Sequence, residues 1–83
     1  MVGMVRLDCK IEDGFIPSER VVRLQSADGQ IEEVFVSSKN IEGNRLIASA
    51  IGEDDGRILV ELPRETASGR WRIWMKQTAV AGG

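Results

Sequence analysis

Apolar and polar side chains alternate with a period of two in several short stretches of the chain. In the first stretch, Leu7, Cys9 and Ile11 fall on one face, and charged residues occupy the positions between them. A period of two places successive side chains on opposite faces of an extended backbone, so each stretch predicts a half-buried strand. The predicted strands are residues 6–12, 20–25, 31–36, 45–51, 57–62 and 70–77.

The turn signal Asp28-Gly29 lies between the second and third predicted strands. Such a pair between alternating apolar runs predicts a hairpin, because its turn requires a positive φ. Two registers are open: a two-residue loop pairs Val22 with Phe35, and a three-residue loop pairs Val22 with Val34. Each register leaves a glutamate, Glu33 or Glu32, beside Leu24, so we expect this end of the hairpin to reach solvent.

Six short strands, with a turn signal about every dozen residues, predict an all-β fold. We expect a small antiparallel barrel or sandwich of five or six short strands, which forms one domain over residues 1–83. The last residues, 78–83, show no pattern and are expected to form a flexible tail. The predicted core is Leu7, Cys9, Ile11, Val22, Leu24, Val34, Val36, Leu46, Ile58, Val60, Leu62, Trp71, Ile73 and Met75.

The residues missing from the sequence restrict its chemistry more than the charge does. The chain has no histidine, no tyrosine and a single cysteine. A Ser-His or Cys-His nucleophile pair and a single-chain structural zinc site are therefore excluded, and we expect neither an enzyme nor a resident cofactor or metal. A core of this size also leaves little room for a deep pocket. The lone thiol of Cys9, expected to be buried, is typical of a reducing compartment, so we expect a cytoplasmic protein.

Net charge is −2, and no apolar run approaches the roughly 20 residues that span a bilayer, so we expect no membrane partner. The charge is unevenly divided along the chain. Residues 1–56 contain 6 basic and 11 acidic side chains, whereas residues 57–83 contain 5 basic and 2 acidic ones. The basic residues of the second part are concentrated in the last predicted strand.

The outward face of that last strand is the candidate binding surface, formed by Arg70, Arg72, Trp74 and Lys76. Tryptophan and arginine are enriched at the residues that dominate protein–protein binding. We therefore expect a non-catalytic interaction module that binds a protein partner, or a second copy of itself, through this face. A small nucleic-acid-binding barrel is an alternative, in which bases stack on Trp74, but the acidic first part of the chain disfavours it. In a third interpretation, Trp74 packs under a loop and binds nothing.

The chain ends in Ala79-Val80-Ala81-Gly82-Gly83. This ending is similar to the diglycine tails of ubiquitin-like sulfur carriers. The resemblance implies a carrier whose flexible Gly82-Gly83 enters a partner's active site, where the terminal carboxylate is activated as an adenylate and then a thiocarboxylate. It covers these five residues only. The helix of a ubiquitin-like fold has no counterpart in the pattern of residues 37–56.

Overall fold

The computed structural model describes residues 3–82, and antiparallel strands make up most of this range. The predicted all-β class is confirmed. The strands are β1 Gly3–Asp8, β2 Lys10–Asp13, β3 Glu19–Gln25, β4 Ile31–Ser37, β5 Ile41–Glu42, β6 Arg45–Asp54, β7 Arg57–Glu61, β8 Arg72–Lys76 and β9 Val80–Gly82. Two single turns of 3-10 helix, Ser38–Asn40 and Gln77–Ala79, lie before β5 and β9.

The strands form two sheets. The larger sheet has the order β8-β7-β6-β1-β9, with the short β5 also paired to β6, and the smaller sheet has the order β2-β3-β4. The predicted first strand is broken at Cys9, where the chain leaves the larger sheet and enters the smaller one. Residues 3–82 thus contain two separate antiparallel sheets, an arrangement that the sandwich alternative of the prediction allows.

One hydrophobic cluster draws side chains from both sheets. Ten predicted core residues are buried, and Cys9, Ile11 and Ile58 are half-buried and pack against the cluster. Val5 and Ala48 extend the cluster beyond the prediction. The buried hydrophobic residues are Val5, Leu7, Val22, Leu24, Val34, Val36, Leu46, Ala48, Val60, Leu62, Ile73 and Met75.

Trp71 was wrongly predicted to lie in the core, because its side chain is 52% exposed. The ladder between β7 and β8 ends at the pair Glu61 and Arg72, so Trp71 precedes the strand. The alternation of β8 therefore does not extend to it. The backbone bends there, and the carbonyl of Trp71 accepts a hydrogen bond from the amide of Leu62 at 2.8 Å.

The β3–β4 hairpin adopts the register that pairs Val22 with Val34, and Gly29 has a φ of 89°. Glu32 is consequently paired with Leu24, on the inward face. The expectation that this end reaches solvent is wrong for Glu32, which is 4% exposed.

The expectation of a flexible tail over residues 78–83 does not hold for most of this segment. Val80, Ala81 and Gly82 form β9, which pairs with Leu7, Arg6 and Val5 of β1. The pairing uses backbone groups, so it cannot be predicted from the side-chain pattern of the sequence. Gly83 lies outside the described residues.

Loop contacts cover two outer strands of the sheets. The amide of Ala27, in the β3–β4 turn, donates to the carbonyl of Trp74 in β8 at 2.7 Å. The amide of Ala67, in the β7–β8 loop, donates to the carbonyl of Glu33 in β4 at 2.7 Å. The unpaired backbone groups of an edge strand can pair with a strand of another chain. These two hydrogen bonds engage one such carbonyl on β8 and one on β4.

Candidate functional site

The candidate face of the last strand is only partly assembled as predicted. Ile73 and Met75 are buried on the inward side of β8, while Arg72, Trp74 and Lys76 alternate with them on the outer side. Arg70 is not part of this face, because it precedes the strand in the β7–β8 loop. The expected set of four residues is therefore reduced to three.

Trp74 is half-buried, and its neighbours on the outer face explain why. Leu59 of β7 is directly opposite Trp74, and Gly52 of β6 is directly opposite Leu59. Directly paired residues share a face of the sheet, so these three form one row across it, which we call the Trp74 row. The guanidinium carbon of Arg57 lies 5.3 Å from the centre of the tryptophan ring, within the range of a cation–π contact.

Charged residues flank the Trp74 row on both sides. On one side, Arg72 of β8 is opposite Glu61 of β7, and the Nε of Arg72 donates to a Glu61 carboxylate oxygen at 3.0 Å. On the other side, Lys76 is opposite Arg57, whose guanidinium lies 4.0 Å from the Asp54 carboxylate. An apolar centre with a charged border is the usual layout of a protein-binding surface.

Arg70 instead faces a buried carboxylate that sequence reasoning did not anticipate. Its Nε lies 3.7 Å from one oxygen of Glu32, and the hydroxyl of Ser68 donates to the other oxygen at 2.6 Å. Ser68 in turn lies 3.0 Å from the hydroxyl of Thr66, which accepts the amide of Arg70 at 3.1 Å. This network, the Glu32 network, fastens the β7–β8 loop over the hairpin.

A second aromatic surface was also missed. Phe15, which lies between β2 and β3, is 89% exposed, and its ring stacks parallel to that of Phe35 with 6.3 Å between ring centres. Its neighbour Ile16 is 57% exposed. The signal in the sequence is a pair of adjacent large apolar residues, Phe15 and Ile16, directly after the turn residues Asp13-Gly14.

An open cleft of about 560 Å³ lies where the chain crosses between the sheets at Cys9. Ile31 at the start of β4 and Ala79 before β9 contribute to its lining, together with Lys10 and Lys76. Cys9 is half-buried as it lines this cleft, and its thiol donates to the carbonyl of Asn44 at 3.6 Å. Burial raises the pKa of the Cys9 thiol.

We expect Cys9 to react slowly with a disulfide reagent in native buffer and rapidly in denaturant. Only the thiolate attacks, and the raised pKa keeps its population low at neutral pH. The native rate should still be rising with pH where that of the unfolded chain has levelled off. Stopped-flow absorbance against a thiol-specific chromogenic reagent measures both rates, and equal rates in native buffer and denaturant would contradict the half-buried position.

Gly82 lies in β9, where it is paired with Val5, and Gly83 lies outside the described residues. The carrier alternative requires a free end at these two glycines, and the described one, Gly82, is paired within the sheet. None of the helical segments among residues 3–82 has the length and apolarity to cross a bilayer.

The chain matches no protein-family model, no curated protein and no solved structure.

Proposed function

We propose that this protein is a non-catalytic interaction module that binds a protein partner through the outer face of β7 and β8. The observation that carries the proposal is the Trp74 row, an apolar strip that is half exposed and bordered by charges. Sheet faces on which a tryptophan and arginines stay partly exposed are suited to bury them against a partner. The cytoplasmic location stays part of the proposal, because the single thiol fits a reducing compartment.

The partner is either another protein or a second copy of this chain. A small domain buries a limited share of its apolar surface, so association through the Trp74 row adds burial that the monomer lacks. The same row serves both cases, since a two-fold contact places the row of one copy on that of the other.

The two alternative functions find less support in this geometry. The guanidinium of Arg57 already lies over the ring of Trp74, where it competes with a nucleic-acid base for stacking. A carrier would have to detach Gly82 from Val5 before its end could enter a partner's active site. Both remain distinguishable outcomes of the experiment below.

We expect Trp74→Ala to weaken partner binding or self-association by about 30-fold, the cost of removing a central tryptophan. Trp71→Ala is the matched control, because Trp71 is exposed but lies outside the Trp74 row. Light scattering measures self-association, and quantitative affinity purification with the tagged protein measures binding to a partner. A circular dichroism spectrum confirms that each variant is folded.

Gly52→Lys offers a second variant that leaves Trp74 in place. A Cβ added at Gly52 meets the Cβ of Leu59 at 3.5 Å, an ordinary contact, so the new ammonium group enters the row without displacing the backbone. We expect it to abolish association and to preserve the fold. The proposal is wrong if both variants retain every partner of the wild type and all proteins stay monomeric at every concentration. Retention of a nucleic acid, or loss of function on deleting Gly82 and Gly83 alone, would favour the respective alternative.

A further inference from the structure

The cleft at Cys9 has a chemistry that the Trp74 row does not share. Its volume of about 560 Å³ lies within the range of small-molecule sites. The lining residues include apolar side chains but no aromatic one among residues 3–82. Such walls are suited to an aliphatic chain rather than to a flat ring that would stack.

Two of the four charged residues that line the cleft already have partners. One is Asp8, whose carboxylate lies 3.1 Å from the Nε of Arg45. The other is Arg23, whose guanidinium lies 2.8 Å from the Glu12 carboxylate and 3.0 Å from the Glu33 carboxylate. Each of these charges is therefore compensated before any ligand arrives.

Lys10 and Lys76 are the other two charged residues of the lining. They take part in none of the ion pairs found among residues 3–82. Two ammonium groups without a counter-charge, beside apolar walls, favour a ligand with a single negative charge and an apolar body.

We propose that this cleft binds a linear aliphatic monocarboxylate. The alkyl chain lies against Ile31, Ala79 and the thiol of Cys9, and the carboxylate accepts hydrogen bonds from Lys10 and Lys76. Charge-assisted hydrogen bonds to a carboxylate are stronger than neutral ones, so the lysines select the anion over the matching alcohol. No covalent step is involved, and the thiol acts as an apolar wall because burial raises its pKa.

The test is a titration of the full chain with octanoate, octanol and octylammonium, followed by amide chemical shifts. Octanoate should shift the amides around Cys9, Ile31 and Ala79 and bind about tenfold more tightly than octanol, with octylammonium the weakest. Equal affinity for all three compounds, or shifts confined to the surface around Phe15, would overturn the proposal.

Matched variants separate the two parts of the site. The double substitution Lys10→Gln and Lys76→Gln should lower octanoate affinity to that of octanol, while Lys39→Gln, an exposed lysine elsewhere, should change nothing. Ile31→Ser should weaken octanoate and octanol alike, and Ile16→Ser is its control because both isoleucines are exposed outside the core. Unchanged octanoate binding in these cleft variants would refute the site.

Reaction of Cys9 with a disulfide reagent supplies a readout that does not depend on spectral assignment. Saturating octanoate should slow the reaction at least fivefold, because the bound chain covers the thiol. Octanoate that binds but leaves the rate unchanged would place the ligand elsewhere. Trp74→Ala should leave this protection intact, so failure of the cleft and failure of the Trp74 row are distinguishable.

Discussion

Replacing Ile73 with alanine is expected to destabilise the folded protein by about 2–4 kcal/mol, the usual cost of removing this much of a buried side chain. Ile73 is 2% exposed, lies on the inward face of β8 and is opposite Val60 of β7, which is fully buried. The substitution leaves a cavity on the inner face of the larger sheet, beside Val60 of β7. A domain of this size has few kilocalories to lose, so the variant is expected to be partly unfolded at 25 °C.

The matched control is Ile16→Ala, which removes the same atoms from a side chain that is 57% exposed. Its unfolding free energy should lie within about 0.5 kcal/mol of the wild type. Urea denaturation followed by circular dichroism measures both. If the two substitutions cost the same, the inward facing of β8 is wrong.

Ser68→Ala is expected to cost about 1–3 kcal/mol, although the serine lies on the surface. Its hydroxyl donates at 2.6 Å to Glu32, a carboxylate that is 4% exposed. Without that donor, the buried oxygen keeps its desolvation penalty and loses its partner. Ser18→Ala is the control, because Ser18 is an exposed serine whose hydroxyl makes no hydrogen bond to residues 3–82.

A double-mutant cycle identifies the carboxylate as the cause of this loss. In a Glu32→Leu background, Ser68→Ala should cost only a few tenths of a kcal/mol, because no buried acceptor remains. The same cost in both backgrounds would mean that Ser68 acts through the loop backbone and not through Glu32. Thermal and urea unfolding of the four proteins measure the cycle.

Alternation along the chain predicted the inward residues of β3, β7 and β8, because a strand that is buried on one face has an apolar residue at every second position. Leu24, Val60 and Ile73 are examples, and each is buried as expected. The same signal extended the last strand too far, and Trp71 was placed in the core for that reason. Local pattern does not record where a ladder stops, since that depends on the partner strand.

Features that depend on contacts between residues far apart in the chain could not be predicted from the sequence. Glu32 looks like a solvent-facing residue until the β7–β8 loop brings Ser68 and Arg70 to it. The cleft at Cys9 unites residues that are far apart in the chain, from β2, β4 and the turn before β9. Of the candidate binding residues, Trp74 could be found from sequence because its face is set by its own strand, whereas the ion pair of Arg70 could not.

The position of β1 between β6 and β9 has a consequence for synthesis on the ribosome. β1 precedes both of its neighbours in the sheet along the chain, and these neighbours begin at Arg45 and Val80. Non-local pairing of this kind slows folding, because the chain must close long loops before contacts compensate the lost entropy. The strands of the β3–β4 hairpin pair only with each other and with the nearby β2, so they can form first, while Val5 and Leu7 stay uncovered until β6 has been synthesised. Val5 and Leu7 therefore stay exposed on the nascent chain while residues 9–44 are synthesised, and β9 completes the sheet only after Gly82 has left the exit tunnel.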